Sequence, residues 1–591
     1  GRERYRPLIA LLGQPGEAEF GAASTQWSSG LSAWEFGYAT DSMVANQMLY
    51  LYTDRPIYQP GQTVYYRTIL KQAQDARYSP AVKSDITLQI FGAYAVETGI
   101  SPLLDSPTLP VSEYGTSDGS FTIPEDAPAG DYAITYTDGD YWASIGFTVS
   151  DYRKPEVDLS ASFSADALLA GQDIQAAVRA FYYSGEPAAN ASVSWTLTEL
   201  PQTVVMPQGY TVGPLDTSWL EPYAWRSINT MGGGYLLNGT AQIGADGSLP
   251  LTFSAADLAA RLEDGQIHQL ALEVSLTDES GYSVAFSSHA AVYPSETLIG
   301  ILPVSWMTNA GAAAQFKVLT TDWNMQAKGS QVLRANFDKI EWQPINQNGI
   351  SAEDRYQEVL TPVSSADFQT NARGEANLEF TPGEPGSYRL RISGSDGGYS
   401  DYLLWVGGAG RAAWPALPDQ HILIELDQDT YQPGDTARLF IPNPFSGPAL
   451  GLVTVERGSI LQTQVIRIDE SNTILDIPVD ALFAPNVYFS VTLLGKDANG
   501  RADFRQGYKE ATVKADALKL KVSVVSAADT YEPGQNSAWT VTVSDSLGNP
   551  VQGQFSFAAV DKAIYALKDP VEQPIEEAFY GQRPLSVSTS T

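Results

Sequence analysis

Three histidines, His268, His289 and His421, are the only imidazoles in the 591 residues, and there is no cysteine. Far apart in the chain and without an H-E-x-x-H pairing, they lack the partners of a zinc site, so each is expected to be structural or solvent-facing on a strand or loop. No Walker-type phosphate loop and no G-x-S-x-G nucleophile turn occurs. Asp497-Ala498-Asn499-Gly500 and Gly244-Ala245-Asp246-Gly247 resemble pieces of calcium loops, but neither continues into an acidic ladder ending in Glu. Both read as Asx-type hairpin turns. Acidic pairs abound, and choosing two as a glycosidase acid and base is arbitrary without a fold to bring them together. Trp and Tyr could stack on sugars, yet core packing explains those at alternating strand positions. No catalytic residue, metal or cofactor is therefore expected.

One stretch offers the chemistry of a substrate. Residues 568–591, KDPVEQPIEEAFYGQRPLSVSTST, lose strand periodicity and carry three prolines, mixed charges and a Ser/Thr-rich end. Such a segment is expected to be exposed and poorly ordered, a form that a protease cleft accepts. Phe579, Tyr580 and Leu585 suit chymotrypsin-like enzymes; Lys568 is followed by Asp, and Arg583 by Pro, a context that trypsin-like enzymes cut poorly. From composition alone an ordinary disordered tail is the better account, with a protease-sensitive segment as the alternative.

The elements that would carry this tail repeat. Tyr58-Gln59-Pro60-Gly61, Tyr431-Gln432-Pro433-Gly434 and Tyr531-Glu532-Pro533-Gly534 each precede an apolar-rich run. Pro fixes φ and the following Gly can take φ > 0, so each phrase suits a type II turn from which a strand begins. Tyr58, Pro60, Gly61 and their counterparts are expected to be scaffold. The last two copies lie about 100 residues apart, the length of one small sandwich. At roughly 100 to 150 residues per domain, the chain suggests four to six. With 50 Gly, 36 Pro and 31 Tyr, and few stretches of helical period, composition favours an all-β fold.

The expected domains are 1–48, the end of a preceding unit; 49–152; 153–294; 295–408; 409–515; and 516–591, the first part of another. Residues 1–12 offer a strand over 5–12. The opening GRERYRPLIALLG shows no Met and no secretion signal, which suggests an excerpt cut upstream. Closing strands repeat as well: Tyr132, Ile134 and Tyr136 share one face, as do Tyr388, Leu390 and Ile392. Residues 151–157 read as a connector and 407–418 as a Gly/Pro-rich linker. A short helix is expected over 254–263, with Ser254 as N-cap, Leu258 and Leu262 at i, i+4, and Gly265 as its stop. Alternation over 518–524 predicts a strand.

The formal net charge of -33 repels a phosphate backbone, which excludes nucleic acid as a partner and disfavours an anionic membrane surface. No apolar run approaches the length of about 18 residues needed to span a bilayer. The absence of cysteine does not settle the compartment.

Five phrases in order, TDRPIYQPGQTVYYRTIL (53–70), SDYRKPEVDL (150–159), YQPGDTARLFIPNPFSGPALGLVTVERG (431–458), APNVYFSVTLL (484–494) and AAVDKAIYAL (558–567), together resemble the bacterial alpha-2-macroglobulin family. The resemblance spans about residues 48–591. It implies a tandem array of antiparallel, immunoglobulin/fibronectin-type macroglobulin-like β-sandwiches within a broad-range endopeptidase inhibitor, not an enzyme. In that family a protease cuts an exposed bait segment and is trapped, often through a thioester. The resemblance starts the bait at about Lys568, with Phe579, Tyr580, Arg583 and Leu585 as further cleavable positions. It makes target proteases the partners, together with a downstream thioester-containing part if present, since the Cys-x-Glu-Gln motif is absent here. It also implies an extracellular, periplasmic or cell-surface location. The rival expectation is a cell-surface structural or adhesive array in which the tail is a linker.

Overall fold

Alternating burial builds the strands. Val157–Phe163 buries Val157, Leu159, Ala161 and Phe163 and turns the residues between them outward. His268–Thr277 does the same with Leu270, Leu272, Val274 and Leu276. A period of two places one apolar row on one face, and the row is removed from water only when a second sheet covers it. The computed structural model describes residues 8–12, 21–24, 31–41, 45–95, 99–139, 141–150, 157–202, 206, 209–215, 234–277, 283–344, 356–408, 414, 420–497, 499–528, 530–532, 534–560 and 573–587.

Among the described residues, four successive units each pair a smaller and a larger sheet. In the first, Gln47–Thr53, Thr63–Gln74 and Thr116–Thr122 face a sheet containing Asp85–Phe91, Gly130–Asp138 and Tyr141–Val149, with Leu51, Val64, Leu88, Ile90 and Phe147 in one core. The second, third and fourth units each have a three-stranded sheet against a five-stranded one. In the fourth, Glu425–Leu426, Thr436–Pro442 and Asn472–Pro478 form the smaller sheet. Ala449–Glu456, Asn486–Lys496 and Ala502–Val513 form the centre of the larger.

Among the described strands, pairing is antiparallel except for one short switch per unit. Ile57–Tyr58 leaves the smaller sheet and pairs in parallel with Tyr141–Val149, the unit's last strand. Ala167–Leu169, Met307–Asn309 and Thr430–Tyr431 repeat the move on the last strands of their own units. Tyr58 and Tyr431 sit in these switches. Gly61 and Gly434 then take φ of 80° and 98°, as the Pro-Gly turn requires. The Tyr58 hydroxyl donates to Asp54 Oδ1 at 2.7 Å, and Asp54 Oδ1 also accepts from the Tyr65 N–H at 2.9 Å. Tyr431 and Asp427 reproduce this clasp at 2.7 Å, with the Arg438 N–H at 2.8 Å.

The helix forms over Ala255–Leu262; Ser254 Oγ accepts from the Asp257 N–H at 3.2 Å, and Leu258 and Leu262 are buried. The strand expected over 518–524 begins later. Asp516–Leu518 is a 3-10 turn, and the strand is Lys521–Ser526, paired only with Trp539–Ser544 among the described residues. The strand expected over 5–12 is described as Ile9–Leu12, paired with Gly21–Ser24. Residues 151–156 of the expected connector, and all of the stretch 409–418 of the expected linker except Trp414, lie outside the described residues.

Aromatic contacts join the second unit to the third and the third to the fourth. Tyr293 and Trp323 stack at 5.1 Å between the second and third, with Ile267 and Leu298 beside them. Trp405, Trp414 and Phe440 cluster between the third and fourth, where Trp414 Nε1 donates to the Ser471 carbonyl at 2.6 Å.

Candidate functional site

The tail meets the rest of the chain around Arg457, which follows the strand Ala449–Glu456 and is 1% exposed. A buried guanidinium needs every N–H paired. Its Nη1 donates to the carbonyls of Phe483, Ala484 and Asn486, each at 2.9 Å, and its Nη2 to that of Leu482 at 3.0 Å. The remaining donors face Asp75 of the first unit, with Nε at 2.9 Å and Nη2 at 2.7 Å from Oδ2. Asp75 lies at the tip of the hairpin Thr63–Gln74/Arg77–Pro80 with a φ of 57°. The first and fourth units are thus joined by a charge pair 382 residues apart in sequence.

Across this junction runs the segment 573–587. Pro574 precedes a helical turn, Ile575–Tyr580, whose Ala578 and Phe579 are buried. The Phe579 ring meets Tyr78 edge-on at 5.0 Å, and the Tyr78 hydroxyl donates to the Phe579 carbonyl at 3.0 Å. Arg583 Nη2 closes the turn by donating to the carbonyls of Ala578 and Phe579, at 3.0 and 2.8 Å, and to Tyr78 Oη. Burial raises the Tyr78 hydroxyl pKa, and the Arg583 charge partly offsets that.

Beyond the turn the backbone is held by the fourth unit and by residues 39–41. The Arg583 N–H donates to Asn486 Oδ1 at 2.9 Å, and its carbonyl accepts from Asn486 Nδ2 at 3.0 Å and from the Tyr488 hydroxyl at 2.8 Å. Gln582 Nε2 donates to both carboxylate oxygens of Glu510, at 2.7 and 2.8 Å. Leu585 is 1% exposed among Ala33, Tyr488 and Tyr508. Its N–H donates to the Ala39 carbonyl, and its own carbonyl accepts from the Asp41 N–H.

The outer face of the larger sheet beneath is polar and covered: Thr454, Glu456, Asn486, Ser490 and Gln506 are all buried. Glu456 Oε1 accepts from the Thr454 hydroxyl, whereas Glu456 Oε2 and Gln506 Oε1 have no hydrogen-bond partner among the described residues. Burial holds the Glu456 carboxyl above the usual carboxylate range. The same cause acts on Glu510, moderated by Gln582 and Asn486.

Over 573–587 these positions correct the expectation of an exposed, structureless tail, while 568–572 and 588–591 lie outside the described residues. Phe579 and Leu585 are buried, and Tyr580 and Arg583 are half-buried, because two units supply a socket and a backbone ladder for them. Lys568 lies outside the described residues. So does Pro533, while Tyr531 is half-buried and Gly534 exposed on the last hairpin. Arg457, Asp75, Asn486 and Glu510 have no signal of their own in the sequence.

Elsewhere, His268 is 2% exposed, with Nδ1 3.0 Å from Glu199 Oε2 and Nε2 2.9 Å from Asp264 Oδ1, a structural bridge. His289 is exposed on a strand, and His421 lies against Phe36 at 4.4 Å. Asp497 Oδ1 accepts from the N–H groups of Asn499 and Arg501, and Asp246 Oδ1 from that of Ser248, as Asx turns do. An open cleft of ≈ 2000 Å³ is lined by residues of the third and fourth units together with Phe36, Tyr38 and Val212; on its wall Lys509 Nζ meets Glu425 Oε2 at 2.8 Å. Among the described residues no group of three or more His, Asp or Glu could hold a metal ion, and no helix is long and apolar enough to cross a membrane.

Three domain families match parts of the chain: the alpha-2-macroglobulin bait region domain over residues 422–567, the MG2 domain over 48–149, and bacterial macroglobulin domain 6 over 300–407. An alpha-2-macroglobulin homolog of Nostoc sp. is 23% identical over 557 residues, covering 91% of this chain and 28% of that protein. An alpha-2-macroglobulin of Thermotoga maritima is 25% identical over 548 residues, covering 92% and 30%. The chain therefore spans roughly a third of the length of these relatives. The solved structure of trypsin-activated alpha-2-macroglobulin from Escherichia coli aligns with 98% of this chain and 38% of its own, at 17% identity and a TM-score of 0.48.

Proposed function

The chain belongs to the bacterial alpha-2-macroglobulin family, and from that premise we propose that it is the N-terminal scaffold portion of a broad-range endopeptidase inhibitor that traps proteases after they cut a bait segment. The observation that carries this reading is the bait-region match over 422–567, which ends directly before Lys568. Its partners are target proteases and, if the protein has one, a downstream thioester-containing part. It works outside the cytoplasm, in the periplasm, at the cell surface or beyond. The chain itself hydrolyses nothing.

The packing orders the cleavable positions within this reading. A protease cleft takes its substrate as an extended strand. The helical turn Ile575–Tyr580 and the buried Leu585 withhold that form, so Phe579, Tyr580, Arg583 and Leu585 are cut only once the segment lifts. Lys568 is the candidate first site.

Limited proteolysis with trypsin-like and chymotrypsin-like enzymes, followed by sequencing of the new termini, tests this. First cuts within 561–572 are expected. First cuts confined to 151–156 or 409–419, sparing the tail, would favour a spacer array instead. A full-length parent should block cleavage of large protein substrates while leaving small chromogenic peptides accessible to the captured protease; equal protection of both would refute trapping.

A further inference from the structure

We propose that residues 573–587 are a strap that holds the first unit to the fourth by docking, and that a cut anywhere before Gln573 leaves it seated. This goes beyond the trap reading, because it concerns what holds the two units whichever enzyme cuts the chain, and whether or not a protease is captured.

The strap has two anchors on different units. At one end the Tyr50 hydroxyl donates to the Gln573 carbonyl at 2.8 Å, and Phe579 fills a socket formed with Tyr78, both tyrosines belonging to the first unit. At the other end Asn486, Tyr488 and Glu510 of the fourth unit hold Gln582 and Arg583, and Leu585 is the apolar peg. Arg583 joins the two ends, its backbone bound by the fourth unit and its guanidinium by Tyr78 of the first.

This combination resembles the recognition of a peptide more than the passage of a loop. Extended backbone bonded to a neighbouring strand supplies affinity, and a few side chains in pockets supply register. Here Leu585 makes one isolated parallel bridge with Thr40, which lies outside both units, and Ser586 of the strap donates its N–H to the Arg457 carbonyl of the fourth unit at 2.8 Å. Most of these bonds join the strap to residues more than 70 positions away, so chain continuity before Gln573 contributes none of them. The surface under the strap is a polar sheet face that presents Asn486, Tyr488 and Glu510 to it.

The test uses the full chain with a single recognition sequence for a specific protease placed within 566–572. After complete cutting, native gel filtration and mass spectrometry measure how much of the C-terminal fragment stays with the body. The fragment should co-elute with the body, and hydrogen exchange at Tyr78 and Tyr488 should stay slow. Leu585→Asp should release it at least about tenfold faster, and Gln582→Ala less so. Tyr78→Phe removes hydroxyl contacts without opening a cavity, and provides the comparison if Leu585→Asp does not fold. Immediate release from the otherwise unaltered chain would overturn the proposal, as would equal retention in Tyr78→Phe, Gln582→Ala and the parent.

Discussion

The second and third copies of the Tyr-x-Pro-Gly phrase have nearly the same sequence and different surroundings. Tyr431 is 1% exposed, its hydroxyl clasped by Asp427, and the strand after it is covered by the larger sheet of its unit. Tyr531 is only half-buried, on a two-stranded hairpin whose Val522, Val524 and Trp539 are exposed. The turn is retained in both, for Gly434 and Gly534 have φ of 98° and 80°. At the position of Asp427, four residues before the tyrosine, the third copy has Ala527. Its tyrosine hydroxyl instead meets Ser526 Oγ at 3.0 Å and the Ala528 N–H at 3.2 Å. The phrase therefore encodes a bend, and burial comes from the strands around it.

Breaking this contrast should have its largest effect at the buried copies. Tyr58→Ala or Tyr431→Ala should destabilise its unit by about 3–5 kcal/mol, as loss of a buried aromatic ring does. Denaturant unfolding read by hydrogen exchange within each unit measures this, and Tyr531→Ala should leave the exchange of the other units unchanged. Asp427→Ala should cost about 1–3 kcal/mol, because it strands a buried hydroxyl and the Arg438 N–H together. The reciprocal change, Ala527→Asp, should slow exchange at the N–H corresponding to that of Arg438 and so narrow the gap between the copies.

A pH effect should separate the same two regions. The Glu456 carboxyl is raised in the folded fourth unit by burial. Its favourable contribution is complete below the ordinary carboxylate pKa and is lost as pH rises through the raised value. The midpoint of the fourth unit should therefore fall over that window, and Glu456→Gln should flatten the profile; an unchanged slope would remove Glu456 as the cause. The smallest difference is expected at the turns. Gly434→Ala and Gly534→Ala should each cost about 1 kcal/mol, alike in both copies, since each forces a Cβ into the left-handed region.

Much of the fold is legible in the sequence because it is written in periods and punctuation. The alternation of Tyr388, Leu390 and Ile392, the Pro-Gly turns and the Ser254 cap all act over a few residues. The strap reads as a disordered tail even though its local signs are present. Pro574, Glu576, Glu577 and Gly581 mark the start, first turn and end of a short helix. What no local pattern can reveal is the socket, since Tyr78 and Asn486 lie hundreds of positions and dozens of positions from the residues they hold. Arg457 is hidden for the same reason: an arginine at the end of a strand looks solvent-bound until Asp75 and four carbonyls are seen around it.

The parallel switches also determine how the units bear load. In the fourth unit Thr430–Tyr431 enters beside the exit strand Ala502–Val513 and runs in its direction. Pulling the two ends of such a unit apart loads those hydrogen bonds along the strands, all at once, rather than peeling them one at a time. Each sandwich carries its own shear clamp, so tension applied along the array should open the contacts between units before it unravels any one of them.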